Sequence, residues 1–153
     1  MSSPPGIFVD DFERTENSDT IQAIIGRSLI LATRFDLMCT QLIRTMTIRE
    51  AVQNFRKIDD EAFSKFVDDL YSYTDRLSLD DTIKSFGLPG SPKKALHRAR
   101  KARNQIVHSL CQNLIGCIEM DEFIEEGELI KKISKLCEAI APCVRIDVAS
   151  IKN

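Results

Sequence analysis

Apolar residues recur along this chain at steps of three and four, the spacing of a helix face, and no segment alternates at the two-residue period of a strand. From Thr20 to about Met46, residues Ile21, Ile24, Ile25, Ala32, Phe35, Cys39, Leu42, Ile43 and Met46 fall on one arc, so a long amphipathic helix is expected, capped by Ser18 or Asp19. Ile48, Val52 and Phe55 suggest a short helix between Thr47 and Asp60. Asp59 to Leu77 reads as a second helix, with Phe63, Phe66, Val67, Leu70 and Tyr71 as its core face. Ser78 or Asp80 starts a short helix that ends at Gly87, and the run from Gly87 to Pro92 is the firmest break in the chain. Phe123, Leu129, Ile133, Leu136, Ile140 and Val144 mark a last long helix that Pro142 should kink or end. Residues 1–17, rich in serine, proline and acids, read as an arm ahead of one helical domain over 18–153. The expected fold is all-α: a bundle of four principal helices plus short ones.

The central helix, Ser91 to Ile118, is the most informative stretch. Ser91 suits the N-cap and Pro92 the first helical position. At about 100° per residue, Leu96, Ala99, Ile106, Val107, Leu110, Leu114 and Ile118 form an apolar arc, and Arg103 falls near its middle. An arginine keeps its charge, and burying it unpaired would cost several kcal/mol (about 3 or more), so it needs a carboxylate, a cavity or an anion. Asp36, on the flank of the first helix's apolar face, is the leading candidate for that acid. About a quarter turn from the arc, Lys93, His97, Arg100, Asn104 and His108 form a polar, cationic seam.

At 153 residues the chain is long enough for one substantial core. Its net charge of −2 excludes a globally basic nucleic-acid binder, so any phosphate affinity must be local. Between Lys93 and Arg103 six Lys or Arg fall within eleven residues with no acid among them. A charge run of this kind is most often a solvated helix face. The five cysteines (Cys39, Cys111, Cys117, Cys137 and Cys143) are odd in number and lack zinc spacing. They read as small packing residues of a reduced cytoplasmic protein, and neither a metal nor another cofactor is expected. No apolar run approaches the roughly 18 to 20 residues that span a membrane.

Histidine, arginine and asparagine on one helix fit the cleavage of an RNA phosphodiester. A histidine that titrates near neutral pH can move the proton of the 2′-hydroxyl or of the leaving oxygen. A guanidinium can hold phosphate and stabilise charge on its oxygens. Arg103 and His108 are five apart, however, which on an α-helix places them about 140° apart around the axis. Two copies meeting along the seam would bring two histidines and two arginines into one cleft, so a homodimer is expected.

The run Arg103-Asn104-Gln105-Ile106-Val107-His108 resembles the R-x4–6-H motif of the HEPN superfamily, in which a polar residue often follows the arginine. The likeness rests on these six residues and on their place in the third long helix of an all-α chain. It implies a usually dimeric helical bundle and a metal-independent endoribonuclease of the kind found in toxin–antitoxin and antiphage systems. It also implies catalytic roles for Arg103 and His108 with Asn104 in support, and a cognate antitoxin as a partner. Lys93, Lys94, His97, Arg100 and Lys101 are the expected RNA-binding residues. Many toxin members carry a tyrosine two residues after the histidine, where this chain has Leu110. The family also contains non-catalytic modules that bind nucleotides or protein partners such as nucleotidyltransferase-type proteins, and this is the competing reading. A plain helical scaffold is a third, and it leaves Arg103 unexplained.

Overall fold

The computed structural model describes residues 16–54, 59–109 and 126–144, and all regular structure within them is helical. In chain order the helices are α1 (Glu16–Asn54), α2 (Asp60–Thr74), α3 (Leu79–Ser85), α4 (Gly90–Asn104), which continues as a π-helical turn (Gln105–Ser109), and α5 (Glu126–Val144). The all-α expectation holds. The arm up to Thr15, Leu110, Cys111, Leu114, Cys117, Ile118, Phe123 and the end of the chain after Val144 lie outside the described residues.

α1 is longer than its apolar arc suggests, with 39 residues in one helix. It starts at Glu16, ahead of the expected caps Ser18 and Asp19, and takes in residues 47–54 of the segment expected to form a separate short helix, while Phe55 lies outside the described residues. The threonines that weaken the pattern there do not break it. Thr45 and Thr47 donate their hydroxyls back to the carbonyls of Gln41 and Ile43, at 2.8 and 2.9 Å. A β-branched residue lowers helix propensity by only a few tenths of a kcal/mol, roughly, and packing of the long apolar face overrides that.

Side-chain caps set two of the breaks. Asp59 accepts from the Ala62 N–H at 2.7 Å and starts α2. Ser78 accepts from the Asp81 N–H at 3.1 Å and donates to its carboxylate at 2.6 Å, which starts α3. Gly87 and Gly90 take φ values of 62° and 64°, a left-handed geometry that glycine adopts without Cβ strain. Gly90 thereby turns the chain into α4 one residue before Ser91. The N-cap position falls to Pro89, with no side-chain cap bond, and Ser91 is not the cap the sequence suggests. Pro142 neither ends nor interrupts α5, which runs two residues further to Val144. The proline has no N–H to donate to the carbonyl of Glu138, so the helix runs on with one bond of its ladder missing.

The core is shared by α1, α3, α4 and α5. Ala32, Phe35, Cys39 and Leu42 of α1 meet Ile83 and Phe86 at α3, Leu96, Ala99, Ala102 and Ile106 along α4 and its π-turn, and Ile140 and Cys143 of α5. α2 contributes nothing to this cluster. Of its expected core face only Leu70 is buried; Phe63, Phe66 and Val67 are half-buried and Tyr71 is exposed. α2 packs chiefly on α1. Its main anchor is a buried arginine from α1: Arg44 donates its Nε to Thr74 Oγ1 at 2.8 Å and a terminal nitrogen to Asp75 Oδ1 at 2.6 Å. The same guanidinium lies 3.9 Å from the centre of the Tyr71 ring. The hydrophobic pattern alone gives this role no signal.

Candidate functional site

α4 positions every candidate residue of the central helix up to Asn104. Leu96, Ala99 and Ala102 are buried against the core, which fixes the roll of the helix. Arg103 then comes out half-buried at the α1 interface, facing Asp36. Its Nε donates to both oxygens of the Asp36 carboxylate at 2.8 Å, and Nη2 donates to Asp36 Oδ2. Nη1 donates to Asn104 Oδ1 at 3.2 Å. All three guanidinium nitrogens are therefore engaged, Nε and Nη2 along the edge that meets Asp36 and Nη1 toward Asn104, and each terminal nitrogen keeps one outer N–H. The Asn104 amide, with its oxygen turned to Arg103, directs its N–H donors elsewhere.

After Asn104 the backbone changes character. Gln105–Ser109 form a π-turn, in which hydrogen bonds close over five residues instead of four. Such a turn accommodates one extra residue per revolution. It reduces the roughly 140° that a straight α-helix puts between positions five apart, and so swings His108 toward the side of Arg103. Ile106 is fully buried within the turn and Val107 is half-buried, so the wider winding is held by the core. His108 is exposed and forms no hydrogen bond or ion pair with another described residue.

The seam of Lys93, His97, Arg100, Asn104 and His108 is not one free cationic strip. Its middle is occupied by α3. Asp80 Oδ1 lies 3.2 Å from Arg100 Nε and 3.9 Å from His97 Nδ1, and Asp80 Oδ2 lies 2.6 Å from Lys84 Nζ. Arg100 Nε is buried and forms an ion pair without an aligned hydrogen bond. The hydrogen bond from Lys84, foremost, together with the charges of Arg100, Lys84 and His97, holds the Asp80 carboxyl below its ordinary range. The same hydrogen bond raises the Lys84 ammonium above its own. Arg100 is thus committed to a carboxylate that sequence reasoning did not pair with it.

A different face of α4 is open. Ser91, Lys94, His97, Arg98 and Lys101 line a groove of about 540 Å³. Lys94, His97 and Lys101 are among the residues the sequence nominates for RNA. Arg98 is not among them, although its i+4 and i−3 relation to Lys94 and Lys101 is the available signal. Lys93 is exposed outside the groove. Among the described residues, no group of three or more His, Cys, Asp or Glu could hold a metal ion. Nor is any described helix long and apolar enough to cross a membrane.

Cys39, Cys137 and Cys143 are free thiols packed in or against the core. Burial, foremost, and the nearby Asp36 charge push the Cys39 thiol up to about 12, and burial raises Cys137 and Cys143 as well. Thiols kept protonated in this way are poor nucleophiles. Comparison with protein-family models, with curated proteins and with solved structures gives no match to this chain.

Proposed function

We infer that the chain is a metal-independent endoribonuclease resembling the HEPN superfamily, acting in the cytoplasm as a homodimer. The observation that carries this reading is the π-turn between Arg103 and His108. It eases the angular mismatch that keeps a histidine and an arginine five residues apart from serving one substrate on a straight α-helix. Asp36 and Asn104 hold the guanidinium at a fixed angle while its outer N–H groups stay available, which is the preorganisation that phosphate stabilisation requires.

In this mechanism the His108 imidazole takes the proton of the 2′-hydroxyl. The freed oxygen attacks phosphorus, and Arg103 stabilises the charge that builds on the non-bridging oxygens. The bond to the 5′-oxygen breaks, and that oxygen leaves with a proton from the His108 of a second copy. The products are a 2′,3′-cyclic phosphate and a 5′-hydroxyl. Because Asp80 occupies the middle of the seam, the two copies would meet at the Asn104–His108 end of the helix.

A second reading draws on the same salt bridge. Asp36 already neutralises Arg103, which suits a non-catalytic helical module that binds a protein partner, such as an antitoxin or a nucleotidyltransferase-type protein, or a nucleotide. Cleavage of single-stranded RNA in excess EDTA separates the two. Wild type should yield cyclic-phosphate ends and His108→Ala none. Equal cutting by both proteins would remove the ribonuclease reading and leave the binding module.

A further inference from the structure

We propose that the groove lined by Ser91, Lys94, His97, Arg98 and Lys101 is a sequence-independent seat for the phosphates of a single-stranded RNA, apart from Arg103 and His108. The identity of the strand as RNA rests on the ribonuclease reading; the seat itself rests on how the charges of α4 are distributed.

Six cations stand between Lys93 and Arg103, and the structure divides them. Arg100 and Arg103 each have a carboxylate, Asp80 and Asp36. Lys94, Arg98 and Lys101 have none within ion-pair distance among the described residues, and all three are exposed along the one groove. They sit at i, i+4 and i+7, on consecutive turns of a single face, spanning about 10 Å along the axis. Like charges at this spacing oppose one another and weaken a helix.

Two further features add to that cost. Lys93 and Lys94 lie in the first turns, where the helix dipole already favours anions over cations. The α4 N-terminus also has no side-chain cap and no acid in its first turn. Among the described residues, this α4 face therefore carries uncompensated positive charge at the end where compensation is most favourable. A phosphodiester strand laid along the groove supplies it. The Ser91 hydroxyl and the His97 imidazole, half-buried at the edge nearest Asp80, add hydrogen-bonding groups beside the charge.

Groove binding of this kind is electrostatic and has a readable signature. Each phosphate neutralised on a single strand contributes about 0.7 to the slope of log affinity against log salt. Three contacts give a slope of about −2, or a loss of roughly 20-fold between about 50 and 200 mM salt.

The test is fluorescence anisotropy of a labelled oligouridine RNA with the full chain carrying His108→Ala, which keeps the strand uncut. Adding Lys94→Gln and Lys101→Gln together should flatten the slope by about 1.4, and adding Arg98→Gln alone by about 0.7. Lys65→Gln, exposed on α2 and away from the groove, should change neither slope nor affinity. All four positions face solvent, and unchanged melting temperatures would verify that the variants fold. An unaltered slope in the groove variants overturns the proposal, as does an equal effect of Lys65→Gln. Competition by polyglutamate as effective as by unlabelled RNA of equal charge also overturns it, in favour of an acidic protein surface. The two readings fail separately. If wild type cuts RNA in EDTA but the groove variants bind with the affinity and salt slope of their His108→Ala parent, the groove is wrong and the ribonuclease stands. If the groove variants lose binding while wild type cuts nothing in EDTA, the groove stands and the ribonuclease is wrong.

Discussion

Asp36 and Arg103 meet side-on across the interface of α1 and α4, 67 residues apart in the chain, with Nε of the guanidinium shared between the two carboxylate oxygens. Both side chains are largely withdrawn from water, at 31% and 21% exposure. The pair is therefore shielded enough for its disruption to matter and open enough for a ligand to reach the outer edge of the arginine.

Removing one partner should cost more than removing both. Asp36→Ala leaves a half-buried guanidinium without its counter-charge and should destabilise by about 1–3 kcal/mol. Asp36→Leu combined with Arg103→Met should recover part of that loss, because the desolvated charge goes with its partner. Urea denaturation of the single and double variants measures the difference. A double variant less stable than Asp36→Ala would show that the pair contributes more than the burial of its charges costs.

The same logic divides the anchor of α2. Thr74→Val strands the buried Arg44 Nε and should cost about 1–2 kcal/mol. Asp75→Asn acts on a carboxylate that is 69% exposed, so its effect should stay within about 0.5 kcal/mol. Equal losses in the two variants would contradict this ranking.

The π-turn makes an unusual prediction about chain length. Because the turn accommodates one extra residue, deleting the exposed Gln105 should let the segment relax into ordinary α-helix, keep Ile106 in the core and change stability by about 1 kcal/mol or less. Arg103 and the histidine would then be four apart on a straight helix, still sharing a side. Inserting an alanine after Gln105 adds a residue the turn has no room for, rotates Ile106 out of the core, and should cost about 2–4 kcal/mol. Thermal melts of the two variants, followed by circular dichroism, separate the outcomes.

Much of this was legible in the residues, for identifiable reasons. Apolar spacing marks every long helix, and Asp59 and Ser78 announce their helices because capping is local chemistry. Arg103 in an apolar arc demanded an acid, and Asp36 lay at the edge of the facing arc. What the sequence concealed depends on tertiary context. Nothing in Gln105-Ile106-Val107-His108-Ser109 distinguishes a π-turn from an α-turn, since the winding is decided by how Ile106 reaches the core. Asp80 lies on a seven-residue helix whose placement the pattern cannot fix, so its hold on Arg100 and His97 was invisible. The exposure of the α2 apolar face was missed because amphipathicity gives the direction a face should turn, not how completely it is covered.

Alkaline stability should follow the cysteines. The Cys39 thiol ordinarily ionises near 9.0 but in the folded protein only at about 12. Between these values the unfolded chain releases a proton that the folded chain retains, so folding stability attributable to Cys39 should fall as pH rises from about 9 toward 12. Denaturation midpoints across that range, compared with Cys39→Ala, should show a shallower decline in the variant. Peptide mapping after alkylation at mildly alkaline pH should find half-buried Cys137 modified before Cys39 and Cys143.

The length of α1 has a mechanical consequence. Its 39 residues make a rod of about 58 Å, and on that rod Asp36 grips α4 while Arg44 grips α2. The two grips are about 12 Å apart along the axis and about 80° apart around it. The distance between α2 and α4 is therefore gauged by a shared axle, with little packing between the two helices themselves. Sliding α1 would shear both grips in the same direction, and rolling it would loosen both together. A load placed on the outlying helix is thereby felt at the arginine that faces the proposed cleft.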